Sequence, residues 1–331
     1  MAAAVMMLGL VSGCATRDAA KSTTVAAKID APAIEAASPI DPAKVDVLVE
    51  AANAHFASTC ESMSSIQLDT ATTSLYGKAC KSNDADGCMK LGAAYMCGNG
   101  VVKNDATALS LLERACAADP KRCNTLGAAL IDGRMTKRDL GRAFALYEKG
   151  CEAGAAEVCS ALGSLLLLAG RSSEYPRAIV ALEKACMSDS GETREAEACA
   201  NLGIANLNGI GVATNETKAA ELGKRACEGK SMLGCTLYAN ALVTGKGVTQ
   251  DEAAAVKLFG IACDGGNTTA CVAEGKCLYY GLGVTRDTEK ASTRLVSACD
   301  KGNGEACRLL ADWSLAGRTP PPPSGLSPVM F

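Results

Sequence analysis

Seven cysteine pairs recur in order along this chain: Cys80/Cys88, Cys116/Cys123, Cys151/Cys159, Cys186/Cys199, Cys227/Cys235, Cys263/Cys271 and Cys299/Cys307. Their first members lie 36, 35, 35, 41, 36 and 36 residues apart. A fixed period of this size marks a solenoid, because one supersecondary unit cannot bury its own apolar face and copies must stack to do so. A pair in every copy, at near-constant phase, gives each unit its own covalent staple.

One unit can be read around Cys227. Gly234 to Leu242 forms a short helical pattern with apolar residues three to five apart. Gly245-Lys246-Gly247-Val248 ends it, since glycine tolerates the left-handed conformation that terminates helices and the valine can close over the last turn. Asp251 stands where a side-chain oxygen caps the next helix. That helix, Ala253 to Ala262, is expected to bury Ala254, Leu258 and Ile261 and to deliver Cys263. The turn recurs at Gly98-Asn99-Gly100-Val101, Gly209-Ile210-Gly211-Val212 and Gly281-Leu282-Gly283-Val284, whereas Asp132-Gly133-Arg134 and Ala169-Gly170-Arg171 replace it in two units.

Each cysteine pair therefore joins the end of one helix to the start of the next, and an antiparallel hairpin brings such ends within disulfide reach. Six or seven residues separate the partners everywhere except Cys186/Cys199, where Gly191 to Glu195 extends the loop and twelve intervene. The expected fold is all-α: an α/α solenoid of about six to seven disulfide-stapled hairpins of 36 residues. It is expected to occupy residues 80–316. A divergent N-terminal helical cap is expected over 44–79, on the helical spacing of Val45, Leu48, Val49, Ala52 and Phe56 and a second helix around Leu75 to Cys80. Residues 317–331, with Pro320 to Pro323, cannot continue a helix and read as a disordered tail.

Composition narrows the setting. Net charge is −3 with no basic stripe, so nucleic acid is not an expected partner. Eighteen cysteines, fourteen of them in regular pairs, suit an oxidising compartment. Residues 1–13 are apolar, too short for a permanent bilayer span, and close on Val11-Ser12-Gly13-Cys14. That closure resembles the lipobox of bacterial lipoproteins, although no Lys or Arg precedes the apolar run. The resemblance implies a signal peptide over 1–13, a lipid on Cys14 as the contact with the bilayer, and a flexible tether over 14–43. Ala15 after the cysteine, by analogy with such lipoproteins, points to the outer membrane, here read as its periplasmic side.

The repeat itself resembles a known family. Lys-Ala-Cys at 78–80 and 184–186, Cys-x-x-Leu-Gly at 123–127, 159–163 and 199–203, and the Gly-x-Gly-Val turns look like Sel1-like repeats, relatives of the tetratricopeptide repeat. A disulfide in every unit narrows the likeness to the Helicobacter cysteine-rich proteins. That resemblance implies a superhelix, export, and binding of a protein or peptide in the bacterial cell envelope. It also carries an alternative, since members have been described as penicillin-binding or weakly β-lactamase-like. A mitochondrial assembly factor for cytochrome c oxidase shares the repeat and the pairing, which leaves a redox or haem-handling role as a further alternative.

The residues give these alternatives little. No lysine has a serine three residues before it, so the Ser-x-x-Lys of serine β-lactamases is missing. Zinc enzymes need several imidazoles, and His55 is the one histidine. It reads as a helix-face residue. The Gly-x-Gly turns lack the strand and third glycine of a dinucleotide loop, and Cys-x-x-Cys is absent. No catalytic residue, cofactor or metal is therefore expected, and binding by the concave face of the solenoid is the preferred reading. Cys60, Cys97 and Cys277 remain outside the pairs. A Cys60–Cys97 bridge would tie cap to array and leave Cys277 as a buried, reactive or intermolecularly bridged thiol. Of Tyr279 and Tyr280, one is expected in the core and one on the concave face, while Trp313 is expected to close the stack.

Overall fold

The computed structural model describes residues 42–187 and 193–315. Cys14, the tether before residue 42, residues 191–192 of the insertion and the proline-rich tail lie outside them.

The described residues are helical, with no strand among them. α1 (Pro42–Ser64) and α2 (Thr70–Lys81) precede a run of paired helices: α3 (Ala85–Cys97), α4 (Asp105–Ala118), α5 (Asn124–Asp132), α6 (Leu140–Glu152), α7 (Ala156–Ala169), α8 (Tyr175–Cys186), α9 (Thr193–Asn208), α10 (Glu216–Glu228), α11 (Met232–Thr244), α12 (Glu252–Asp264), α13 (Thr268–Tyr280), α14 (Thr288–Asp300) and α15 (Gly304–Leu315). No helix among the described residues is long and apolar enough to cross a membrane.

Two kinds of turn alternate. Odd-numbered helices from α3 to α13 end in the turn that leads to the next even helix. Gly98, Gly133, Gly170, Gly245 and Gly281 take left-handed conformations there. Asn104, Asp139, Asn215, Asp251 and Asp287 then cap the even helices, each side chain accepting a backbone N–H. The second glycine of the Gly-x-Gly turn has a further reason to be there. Gly247 has φ +71°, and a Cβ on it would overlap the Glu216 carbonyl at the start of the preceding even helix.

The other turn carries the disulfide. Asn83, Gly154, Lys230, Gly266 and Gly302 all have positive φ just before the next odd helix. Ser231 and Asn267 then cap that helix with their side chains. Cys80–Cys88, Cys116–Cys123, Cys151–Cys159, Cys186–Cys199, Cys227–Cys235, Cys263–Cys271 and Cys299–Cys307 bridge these turns, with Cα atoms 4.3 to 4.8 Å apart.

Within a hairpin, the glycine four residues after the second cysteine receives a large side chain from the even helix. A Cβ on Gly127 would sit 2.7 Å from Tyr147 Cζ, and one on Gly163 would sit 2.5 Å from Leu182 Cγ. In α11 the equivalent residue is Ala239, and Phe259 of α12 is fully buried. That fixes the rotation of α12. Ala255, Val256, Phe259 and Ala262 are buried, while Ile261 is 53% exposed and Ala254 and Leu258 are half-buried. The face expected from the sequence is thus turned, because Phe259 takes the deep position.

A second correction concerns α1. It is not stacked as a cap on the end of the array, where α2 already pairs with α3; it lies across α3, α5 and α7. Its apolar stripe, Leu48, Ala52 and Phe56, is buried there. α7, α9 and α11 touch one another more closely than neighbouring even helices do, so the odd helices line the inner side of the curve. α1 therefore occupies the first half of the inner face.

One unit breaks the apolar pattern. Three residues after the second cysteine stand Leu91, Leu126, Leu162, Leu202, Tyr238 and Leu310, but Glu274 in α13. Five residues before the first cysteine of each pair stand Leu75, Leu111, Leu146, Ala181, Leu222 and Leu258, but Arg294 in α14. Arg294 Nε meets Glu274 Oε2 at 2.8 Å, and the Glu274 side chain is 3% exposed. Lys290 Nζ lies 3.5 Å from the other carboxylate oxygen, and Arg294 also pairs with Asp264. Glu274→Leu alone is expected to leave Arg294 with Asp264 as its remaining carboxylate partner and to cost about 2 kcal/mol. Glu274→Leu with Arg294→Leu restores the apolar pair of the other units and is expected to return to near wild-type stability; urea unfolding of both variants checks this.

Candidate functional site: the inner face

α1 runs against the order of the units. Its C-terminal part meets α3, where Cys60 is disulfide-bonded to Cys97. Asn99, after α3, donates from Nδ2 to the Met63 carbonyl at 2.5 Å and accepts from Leu68 N at 3.0 Å. The middle of α1 meets α5: His55 Nε2 and Thr125 Oγ1 are hydrogen-bonded at 3.2 Å. Arg134, after α5, donates from Nη2 to Asn53 Oδ1 at 2.5 Å and lies 5.9 Å from the Phe56 ring centre. Asp132 holds the Arg134 Nε at 2.5 Å. Lys44, near the start of α1, reaches Gly170 after α7.

The two units without a Gly-x-Gly turn are thus the one whose Arg134 contacts α1 and the one whose Gly170 lies against Lys44 of α1. Arg134 stands where other turns carry a residue between glycines, and it reaches α1. The broken turn was the one sequence signal for this contact. His55 is engaged with α5 and sits on the packed helix, as a helix-face residue would.

The positions that face inward follow from these contacts. Thr125 lies two residues after the second cysteine of its unit and Cys97 nine after its own, so residues two, five, six and nine after that cysteine form the inner stripe. Asn201 supports the register, donating to Ser164 Oγ on the preceding inner helix at 2.9 Å. Beyond α7 the stripe is accessible mainly at α11 and α13: Asn208 is exposed and Asn240, Ala241, Thr244, Ala273, Lys276 and Tyr280 are half-buried, while Asn201, Ile204, Ala205, Leu237 and Cys277 are buried. It comprises Asn201, Ile204, Ala205 and Asn208 on α9, Leu237, Asn240, Ala241 and Thr244 on α11, and Ala273, Lys276, Cys277 and Tyr280 on α13.

Lys276 is the one charged residue in that stripe, and its ammonium lies 2.8 Å from Glu305. The outer helices differ sharply: Glu216, Glu221, Lys224, Arg225 and Glu228 are exposed on α10, and Lys257 and Asp264 on α12. Charge depletion against a charged remainder is the compositional sign of an interface core.

At the far end Tyr279 stacks on Trp313 with ring centres 3.5 Å apart, and Tyr280 meets Tyr279 edge-on at 5.2 Å. Tyr279 is 7% exposed and Tyr280 half-buried, so the first belongs to the core and the second to the inner stripe. Arg286 lies 5.6 Å from the Tyr279 ring centre. Burial pushes the Tyr279 hydroxyl above its ordinary pKa, with Tyr280 adding to the effect.

Cys277 is free and 1% exposed. Burial, then Glu252 and Glu274, push its thiol up to about 12, so the thiolate that reactivity requires is suppressed. Among the described residues no group of three or more His, Cys, Asp or Glu is placed to hold a metal ion.

The geometry is that of a helical-hairpin repeat protein, a solenoid of stacked units. Residues 85–120, 123–154, 196–231, 233–267 and 270–291 match the Sel1 repeat, and the chain is a Sel1-repeat protein. The unmatched stretch between 154 and 196 contains the α7–α8 hairpin, whose turn has one glycine and whose disulfide loop is the longest. Among solved structures it is similar to c5321, a protective antigen present in uropathogenic Escherichia coli strains displaying an SLR fold, at 21% identity and a TM-score of 0.63. That likeness covers 75% of this chain, which spans about half (53%) of the antigen. It is also similar to a Sel1 repeat protein from Oxalobacter formigenes, at 19% identity and a TM-score of 0.58, over 78% of this chain and 97% of that one. These likenesses show the fold. No curated protein matches the chain.

The pairing has a direct test. Denatured without reductant, the protein should take up iodoacetamide at Cys277 and at no other cysteine of residues 42–315. Peptide mass mapping that finds further labelled cysteines in the oxidised protein would contradict the eight bridges.

Proposed function

We propose that the chain is a non-catalytic scaffold of the bacterial cell envelope that binds a protein or peptide on the open half of its inner face. The observation that carries this reading is the charge-poor stripe, accessible over α11 and α13 with Lys276 as its one charge, set against charged outer helices. Sel1 repeats generally mediate protein–protein interaction, and stacked units make long surfaces that bind without catalytic groups. Eight disulfides favour an oxidising compartment. The lipobox-like Val11-Ser12-Gly13-Cys14 supports anchorage through a lipid on Cys14, with the solenoid facing the periplasm from the outer membrane.

Immobilised oxidised protein in envelope extract is expected to capture a defined partner, identified by mass spectrometry. Ala273→Glu on the inner stripe should abolish capture and Ile261→Glu on α12 should preserve it. Equal capture by both variants would remove the inner face from the account. Anchorage is checked separately: incorporation of a palmitate analogue in cells should disappear on Cys14→Ser.

A further inference from the structure

We propose that the open half of the inner face is a seat for an amphipathic α-helix of the same chemistry as α1, laid end to end with it. This inference rests on the binding reading above and adds the class of partner. The interface that argues for it is already in the molecule. On α3, α5 and α7 the inner face holds a helix through a stripe of Leu48, Ala52 and Phe56 at four-residue spacing. A few polar anchors, His55–Thr125 and Arg134–Asn53, fix its register.

α1 begins at α7, beside Gly170, and the inner face continues past it onto α9, α11 and α13. There Asn240, Ala241, Thr244, Ala273, Lys276 and Tyr280 are half-buried, and among the described residues no helix lies over them as α1 lies over α5. Alanine and threonine let a helix approach closely, Asn240 offers an amide, and Tyr280 offers an aromatic wall. These are the apolar floor and sparse polar anchors that α1 uses. The one cation is paired with Glu305, so the surface selects an uncharged docking stripe rather than an acidic or basic one.

The accessible seat lies on two inner helices, α11 and α13, so a partner helix of about 14 residues, roughly 20 Å, spans it. It is the helix-in-groove mode of recognition, with anchors at every third or fourth residue.

The probe is a fluorescein-labelled peptide of residues 42–64 with Cys60→Ser, titrated into the oxidised protein and followed by fluorescence anisotropy. Its own seat is filled by α1, so saturable binding is expected at the open half. Ala241→Glu and Ala273→Glu should each weaken that binding at least tenfold, and Ile261→Glu should leave it unchanged. With benzoylphenylalanine in place of Phe56, the peptide should cross-link to α11 or α13. Absence of binding, or binding that neither glutamate weakens, overturns the proposal. So do cross-links to α3 or α5, which would mean that the peptide displaces α1. If Ala273→Glu abolishes capture from envelope extract while the peptide fails to bind, the scaffold reading stands and the helix class alone falls. Circular dichroism and thermal melts of both glutamate variants guard against loss of fold.

Discussion

Everything in this molecule hangs on closing the turn between an outer helix and the next inner helix. The paired helices run from 9 to 16 residues, lengths at which an isolated helix is marginal in water. They persist because each packs against its neighbours, and that packing holds only if the chain re-enters at a fixed angle. The disulfide sets the angle covalently. In the chain-entropy model a loop of this size contributes roughly 2–3 kcal/mol. A left-handed residue and a side-chain cap shape the same turn. The opposite turn is closed without sulfur, by glycine geometry and Asx caps. Covalent and non-covalent closures therefore alternate along the array, and stability accrues unit by unit.

Most of this was legible in the chain. The cysteine period, the glycine turns and Asp251 fix the unit and its two turns, because each is a local signal whose physics needs no partner. The face of α12 was not legible. Ala253 to Ala262 offers apolar residues on several sides of a helix, and periodicity alone does not choose among them. The choice comes from Ala239 on α11, small enough to admit Phe259. The seat of α1 was hidden for a different reason. Its stripe announces an amphipathic helix but not what covers it, and the covering surface is assembled from three separate units. The broken turn at Asp132-Gly133-Arg134 was the residue-level trace of that contact, visible as an irregularity but unreadable without the fold.

The pair Glu274–Arg294 shows what a repeat array gains by breaking its own rule. Nearly identical units are exposed to stacking out of order, since one Leu–Leu contact resembles the next. A hairpin that places Glu274 against a leucine leaves a carboxylate buried without its Arg294 partner. An unpaired buried charge costs several kcal/mol, far more than the native pair gains over two leucines. The penalty falls on the wrong arrangement, so one ionic unit near the C-terminal end discriminates against misordered stacking there.

The direction of α1 governs what the inner face can meet. Cys60 is fixed at α3 and Lys44 lies at α7, so the chain before Pro42 departs from the middle of the inner face rather than from an end of the solenoid. Under the lipid-anchor reading, tension from the bilayer is then applied at the boundary between the occupied and open halves. The charge-poor stripe on α11 and α13 is in this way the surface left free by α1. Depletion of charge there costs the molecule solubility, which the outer helices offset with alternating Lys, Arg and Glu.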